Sequence, residues 1–233
     1  MPFRLEGRTM DRAPRQFDRE LADLKSRLLT MSEIAAKMTD HAITALAQRD
    51  ETIDDDVETL ELDVNRMQLE IDEIVLALLA THQPVAADLR FLVAVTRISG
   101  ELERVGDLAV NILQNTATLL QQPPVKPLID IPKMAKAARD MLDKAMRALV
   151  TSDPLLAQSV ITMDDIVDDL CDRVRDDLLE YMKKNSDVIV ESSLALVLVA
   201  RHLERIADHA TNIAESVIYM CQGKDVRHSK TAR

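Results

Sequence analysis

Residues 102–112 read Leu-Glu-Arg-Val-Gly-Asp-Leu-Ala-Val-Asn-Ile, and residues 203–213 read Leu-Glu-Arg-Ile-Ala-Asp-His-Ala-Thr-Asn-Ile. Seven of the eleven positions coincide at a spacing of 101 residues. Chance similarity between two amphipathic helices would match their apolar positions. It would not reproduce Glu103/Glu204, Asp107/Asp208 and Asn111/Asn212, so the stretch marks an internal repeat. A second match lies upstream. Residues 31–50 and 134–153 share eight of 20 positions at a spacing of 103, among them Met31/Met134, Met38/Met141, Asp40/Asp143 and Asp50/Asp153. The offset falls by two, which places a two-residue deficit near the corner between the second and third helices of the second unit.

Outward from the motif, apolar residues keep a helical period almost throughout. Phe17, Leu21, Leu24, Leu28, Met31, Ala35, Met38, Ala42 and Ala45 alternate steps of four and three. Val57, Leu60, Val64, Met67, Ile71, Ile74 and Leu78 do the same, as do Val95, Ile98, Leu102, Val105, Ala109 and Ile112. A sustained seven-residue repeat predicts long, gently supercoiled helices. The expected fold is all-α, with two tandem antiparallel three-helix bundles.

Breaks fall between these runs. Asp50 is a candidate cap for a helix starting near Glu51, and Asp153-Pro154 restates that cap with proline at the first helical position. Pro84 separates the second helix from the third. Pro123, Pro124, Pro127 and Pro132 crowd one short stretch, as a linker does. The expected organisation is a basic arm (1–16), a first bundle (17–122), a Pro-rich linker (123–132), a second bundle (133–222) and a basic tail (223–233).

Composition agrees. Apolar residues make up 47% of the 233 residues, aromatics 2%, and glycines number 4. Ala, Leu, Met, Val and Ile suit packed helices better than sheets. The net charge of −11 disfavours nucleic acid as a partner, because binding phosphate backbones needs surplus Lys and Arg. Cys171 and Cys221 have neither redox nor zinc-type spacing and read as reduced core residues. The longest apolar runs, Ile74–Ala80 and Leu194–Ala200, are too short to span a bilayer. A cytoplasmic protein is expected.

Glu103, Asp107 and Asn111 share one stripe of a helix, as do Glu204, Asp208 and Asn212. Both sets lie outside the apolar seam, so an ordinary solvated face is the simplest reading. Like charges at i, i+4 nevertheless cost about 0.2–0.5 kcal/mol, and the arrangement occurs twice. No Lys or Arg follows four residues after Asp107 or Asp208. A matching spacing sits on the preceding helix, with Asp164 and Asp168 in the second unit and Glu61 and Asn65 in the first. Carboxylates converging from adjacent helices suit a hard or borderline cation such as Mg, Mn or Fe. His202 and His209 flank the second motif on another face and read as packed or surface histidines. His41, His82 and His228 suggest no partners. Gly-rich phosphate loops, Glu-x-x-His and recognisable nucleophile motifs are missing, so a non-enzymatic protein is expected.

The doubled motif, together with Gln83-Pro-Val-Ala-Ala-Asp88-Leu-Arg90, resembles the signatures of the PhoU family of phosphate-specific transport regulators, over about Phe17 to Gly223. The resemblance implies two three-helix bundles and a cytoplasmic negative regulator of the phosphate-starvation response. It implies an adaptor between the ATPase of the phosphate ABC transporter and a sensor histidine kinase, reaching the membrane only through these partners, and a homodimer. It also implies surface metal ions, singly or in clusters (Fe, Mn, Mg or Zn). By position the ligands are Glu103, Asp107, Glu204, Asp208, Asp164, Asp168 and Glu61, with Asn111, Asn212 and Asn65 in support. Asn65 is neutral where the pattern has an acid, which weakens the first unit's set. Two other readings stay open at this point: a carboxylate-cluster hydrolase and a metal-free helical scaffold.

Overall fold

The computed structural model describes residues 16–50, 54–122, 130–184 and 188–227. They form seven helices: α1 (Gln16–Gln48), α2 (Asp54–His82), α3 (Ala86–Leu120), α4 (Asp130–Thr151), α5 (Pro154–Ile161), α6 (Asp164–Lys184) and α7 (Val188–Gln222). The first bundle is α1–α3. In the second, α4 and α7 match α1 and α3, while α5 and α6 together occupy the place of α2.

The heptad positions form the core. Leu24, Leu28, Met31, Ala35, Met38, Ala42 and Ala45 are all fully buried, as are Val95, Ile98, Leu102, Val105, Ala109 and Ile112. In the second unit Met134, Ala138, Met141, Ala145 and Ala148 repeat this pattern. Removing a side chain of leucine size from water contributes about 1.5–3 kcal/mol. This burial therefore holds the helices together more than intrinsic propensity does.

The repeat extends to corner geometry. Arg49 ends α1 with φ 55° and Ser152 ends α4 with φ 52°. Each left-handed residue turns the chain so that the following N–H bonds backwards: Asp50 to the Ala45 carbonyl and Asp153 to the Ala148 carbonyl, both at 3.0 Å. Asp153 then caps α5, its carboxylate accepting from the N–H groups of Leu155 and Leu156 at 2.9 and 3.0 Å, with Pro154 in the first turn. The matching start after Asp50 falls at residues 51–53, outside the described residues, and α2 is assigned from Asp54. The expected two-residue deficit falls at the corner containing 185–187, also outside them.

Two boundaries differ from the sequence reading. Helix α4 begins at Asp130, so Ile131 and Pro132 belong to its first turn rather than to a linker. Proline is tolerated there because its missing N–H would have no helical partner, and Ile131 is buried. The second helix of unit two is interrupted at Thr162-Met163. The Thr162 hydroxyl donates to the Ser159 carbonyl at 2.8 Å, and the Met163 N–H bonds the Val160 carbonyl at 2.9 Å. These three-residue closures end α5 before α6 starts at Asp164.

The bundles are not beads on a string. α3 packs more extensively against α7 than any other two helices pack together, and α1 also touches α4. At the α1–α4 contact the Arg139 guanidinium joins the repeat-related carboxylates of Asp40 and Asp143.

Candidate functional site

Glu103 and Asp107 lie one turn apart on α3, and Glu61 lies on the facing part of α2. All three are half-buried. Gly106 sits between Glu103 and Asp107 on α3 and faces Met38 and Val64, which stand 3.6 Å from where a Cβ would be, an ordinary contact distance. Burial pushes the Glu61 carboxyl up, and the charges of Asp107 and Glu58 push it further. Glu103 is raised likewise, by burial and then by Asp107, with Glu61 adding to it. The three carboxylates thus feel one another across the α2–α3 groove.

The second unit repeats the arrangement with different weights. Asp164 opens α6 and is buried. Solvent reaches Asp208, yet burial raises its carboxyl, followed by the charges of Asp164 and Glu204. Asp168, one turn beyond Asp164, is exposed. Asp208 is exposed, in keeping with a place outside the apolar seam, whereas Asp164 is buried where the broken helix restarts.

Both clusters are partly neutralised by arginines that the i, i+4 reading overlooks. Arg104 pairs with Glu103 (3.4 Å) and with Asp107 (3.2 Å). Arg201 pairs with Glu204. Among the described residues, no three His, Cys, Asp or Glu side chains stand in an arrangement that holds a metal ion. The donor set itself is compatible with a cation. It consists of carboxylates, three of which are raised first by burial and then by one another's charge, and both arginines are exposed. Asn65, Asn111 and Asn212 are half-buried on the same helices.

Asn212 has a partner of its own. Its amide donates to Glu101 at 3.0 Å, and the same carboxylate meets His209 Nδ1 at 2.6 Å. This bond joins the two bundles across the α3–α7 seam. Burial raises the Glu101 carboxyl, but the bonds from His209 and Asn212 outweigh it and hold the group below its usual range. Farther along the seam, Asn115 meets His202 at 3.4 Å. His202 is pushed down by burial and then by Arg205. His82 packs on Phe17, ring to ring at 4.8 Å. His228 lies outside the described residues. Glu101 is the residue that sequence reading missed. It has no counterpart in the repeat, where His202 stands at the matching position, so the only signal was that departure.

Cys171 and Cys221 are free. Cys171 donates to Glu204 at 3.3 Å, and burial and then Glu204 push its thiol up to about 12.

The PhoU domain model matches residues 28–116 and again residues 131–217, the two helical units just described. The chain belongs to the PhoU family. It is 33% identical over 214 residues to the phosphate-specific transport system accessory protein PhoU homolog of Pseudomonas putida, covering 91% of this chain and 83% of that one. The Aquifex aeolicus homolog of the same name is 32% identical, with 90% and 95% covered. Among solved structures, PhoU from Pseudomonas aeruginosa superposes with a TM-score of 0.84 at 32% identity, covering 90% of this chain and all of that one. The phosphate transport system regulatory protein PhoU from Streptococcus pneumoniae gives 0.83 at 25%, covering 91% and 99%. Among the described residues, no helix is long and apolar enough to cross a membrane.

Proposed function

We propose that this PhoU-family chain is a cytoplasmic, non-enzymatic negative regulator of phosphate uptake and of the phosphate-starvation response. It acts as an adaptor between the phosphate ABC transporter's ATPase and a sensor histidine kinase. The observation that carries this reading is the family match to both units, over a doubled acidic groove. The names of its relatives, accessory and regulatory protein, agree with it.

The charge of the site bears on how the signal is read. Two carboxylate clusters on a chain of net charge −11 repel free phosphate. The adaptor therefore reads the conformation of a partner, and its difference in affinity between partner states sets the output. Divalent cations would be held in the first unit by Glu61, Glu103 and Asp107, with Asn65 and Asn111 in support. In the second, Asp164, Asp168, Glu204 and Asp208 would hold them, with Asn212. A bound cation supplies positive charge that offsets the carboxylate repulsion.

Affinity capture from cells grown at high and at low phosphate tests the adaptor. The transporter ATPase or the histidine kinase is expected in the captured material under at least one condition. Recovery of neither under both conditions sinks the reading. Metal analysis of the untagged protein beside the Glu103→Ala, Asp107→Ala, Glu204→Ala and Asp208→Ala variant tests the cation separately. Equal metal content in both proteins removes these ligands from consideration.

A further inference from the structure

Helices α1 and α3 run in the same direction, and Gly106 of α3 faces Met38 of α1. That register sets Asp18 level with the start of α3 and Lys25 about two turns farther in. The C-terminal end of α7 packs against the same corner. Arg90 Nε donates to the Met220 carbonyl at 3.1 Å, and the Arg90 side chain lies against Gly223, 3.7 Å from where a Cβ would be. A cavity of about 460 Å³ opens here, with walls from both bundles. Junctions between structural units are preferred places for small-molecule sites of this size.

The lining is sorted by charge and polarity. Leu21, Phe91 and Met220 give it an apolar surface, the last two from buried positions. Lys25 and Arg90 line it from half-buried positions, whereas Asp18 and Asp88 line it from exposed ones. The cations therefore stand inside and the acids at the rim. Among the described residues, neither Lys25 nor Arg90 pairs with a carboxylate. The Lys25 ammonium instead lies 5.3 Å from the centre of the Phe91 ring. Arg90 commits one of its five donors to the Met220 carbonyl, which fixes the guanidinium and leaves four N–H groups. Both positive charges converge on Cys221, whose thiol is pushed up by burial and then by Asp153 and pulled down by Lys25 and Arg90. Two half-buried cations without an acid of their own favour an anionic group beside them. The exposed acids beyond them disfavour a ligand that is negative throughout. A carboxylate inside, an ammonium at the rim and an apolar body between them match every part of the lining.

We propose that this cavity binds a small apolar zwitterion, an amino acid or a short peptide, with its carboxylate on Lys25 and Arg90 and its ammonium at the rim formed by Asp18 and Asp88. The proposal goes beyond the adaptor reading and does not depend on metal or phosphate. Isothermal titration calorimetry of the full chain tests it with leucine, phenylalanine and leucyl-leucine. Their amides, which lack the carboxylate, and their N-acetyl forms, which lack the ammonium, are titrated beside them. At least one zwitterion is expected to bind, and the relative affinities of leucine and leucyl-leucine distinguish an amino acid from a peptide. Its amide and its N-acetyl form should each bind at least about tenfold more weakly. Arg90→Gln is expected to weaken binding about thirtyfold and Asp88→Asn about threefold. Ala22→Leu, at an exposed helical position on the cavity wall, fills the space and should abolish binding while the far-UV circular dichroism stays unchanged. Failure of all three zwitterions to bind at about 10 mM overturns the proposal. So does an amide or N-acetyl form that binds as tightly as its parent. Binding that is unchanged by both Arg90→Gln and Ala22→Leu also overturns it, since that ligand sits elsewhere.

Discussion

The two bundles share a core and differ in what surrounds it. Their buried positions correspond residue for residue, Met31 with Met134, Met38 with Met141, Leu102 with Leu203, and each of these side chains is fully buried. Their second helices do not correspond. In the first unit α2 runs unbroken for 29 residues. In the second the same span is split into α5 and α6, and Asp164 is drawn under cover at the restart. The groove of the first unit holds Glu61 and Asn65 where the second has Asp164 and Asp168. Outer leucines at 62 and 69 answer to aspartates at 165 and 172. The core residues that fix the bundle are repeated, as are the acids and asparagine of the α3 and α7 motifs, whereas the exposed side of the second helix has diverged. The two halves are therefore one fold carrying two different surfaces.

The sharpest way to break this comparison is in the core. Leu102→Ala and Leu203→Ala each empty a fully buried leucine site, and each is expected to cost about 2–5 kcal/mol. Because α3 and α7 form the main seam between the bundles, both variants should melt in a single transition in a calorimeter. Two separated transitions, each moved by only one of the variants, would show that the halves are thermodynamically independent.

Glu101 tests the seam more gently. Glu101→Ala leaves His209 and Asn212 facing each other without their shared acceptor, at an expected cost of about 1–3 kcal/mol. The sign of its pH dependence is fixed. The folded-state value of Glu101 is depressed, so its contribution is complete above the unfolded glutamate value of about 4.3 and is lost as pH falls through the lower folded value. Urea titrations of wild type and variant should therefore converge as the pH drops into that acid range. A gap that is constant from neutral to strongly acid pH would assign the loss to packing.

The smallest effect separates the two motifs. Gly106 in the first has Ala207 as its counterpart in the second, and a Cβ added at Gly106 would meet only ordinary contacts at 3.6 Å. Gly106→Ala should therefore stabilise the protein by about 0.5–1 kcal/mol, the helix-propensity difference. A lower melting temperature would mean that the α2–α3 groove needs the extra closeness that glycine allows.

Much of this was legible before any coordinates. The steps of three and four at Leu24 through Ala45 placed one face of α1 in the core, since side-chain direction in a helix follows from sequence spacing alone. Asp153-Pro154 announced the start of α5 because a cap is a local bond. The break at Thr162-Met163 was not legible. No glycine or proline marks it, and it rests on bonds that compete with the helix by small margins. The acids of the candidate site were found by their repetition, but their surroundings were not. Arg104 lies three residues before Asp107 and Arg201 three before Glu204, an i, i+3 neighbourhood that a search for i, i+4 partners passes over. The bond from Glu101 to His209 depends on the register of α3 against α7, which no local pattern encodes.

That bond also bears on how the protein is made. Its two ends are separated by 108 residues. At about 5–20 residues per second, the ribosome needs roughly 5–20 s to travel from one to the other. For that interval the first bundle emerges with the α7-facing side of α3 unanswered, because α7 follows all the other described helices in the chain. The nascent chain is then most exposed to association with its neighbours, and α7, rather than the first bundle, ends that vulnerability.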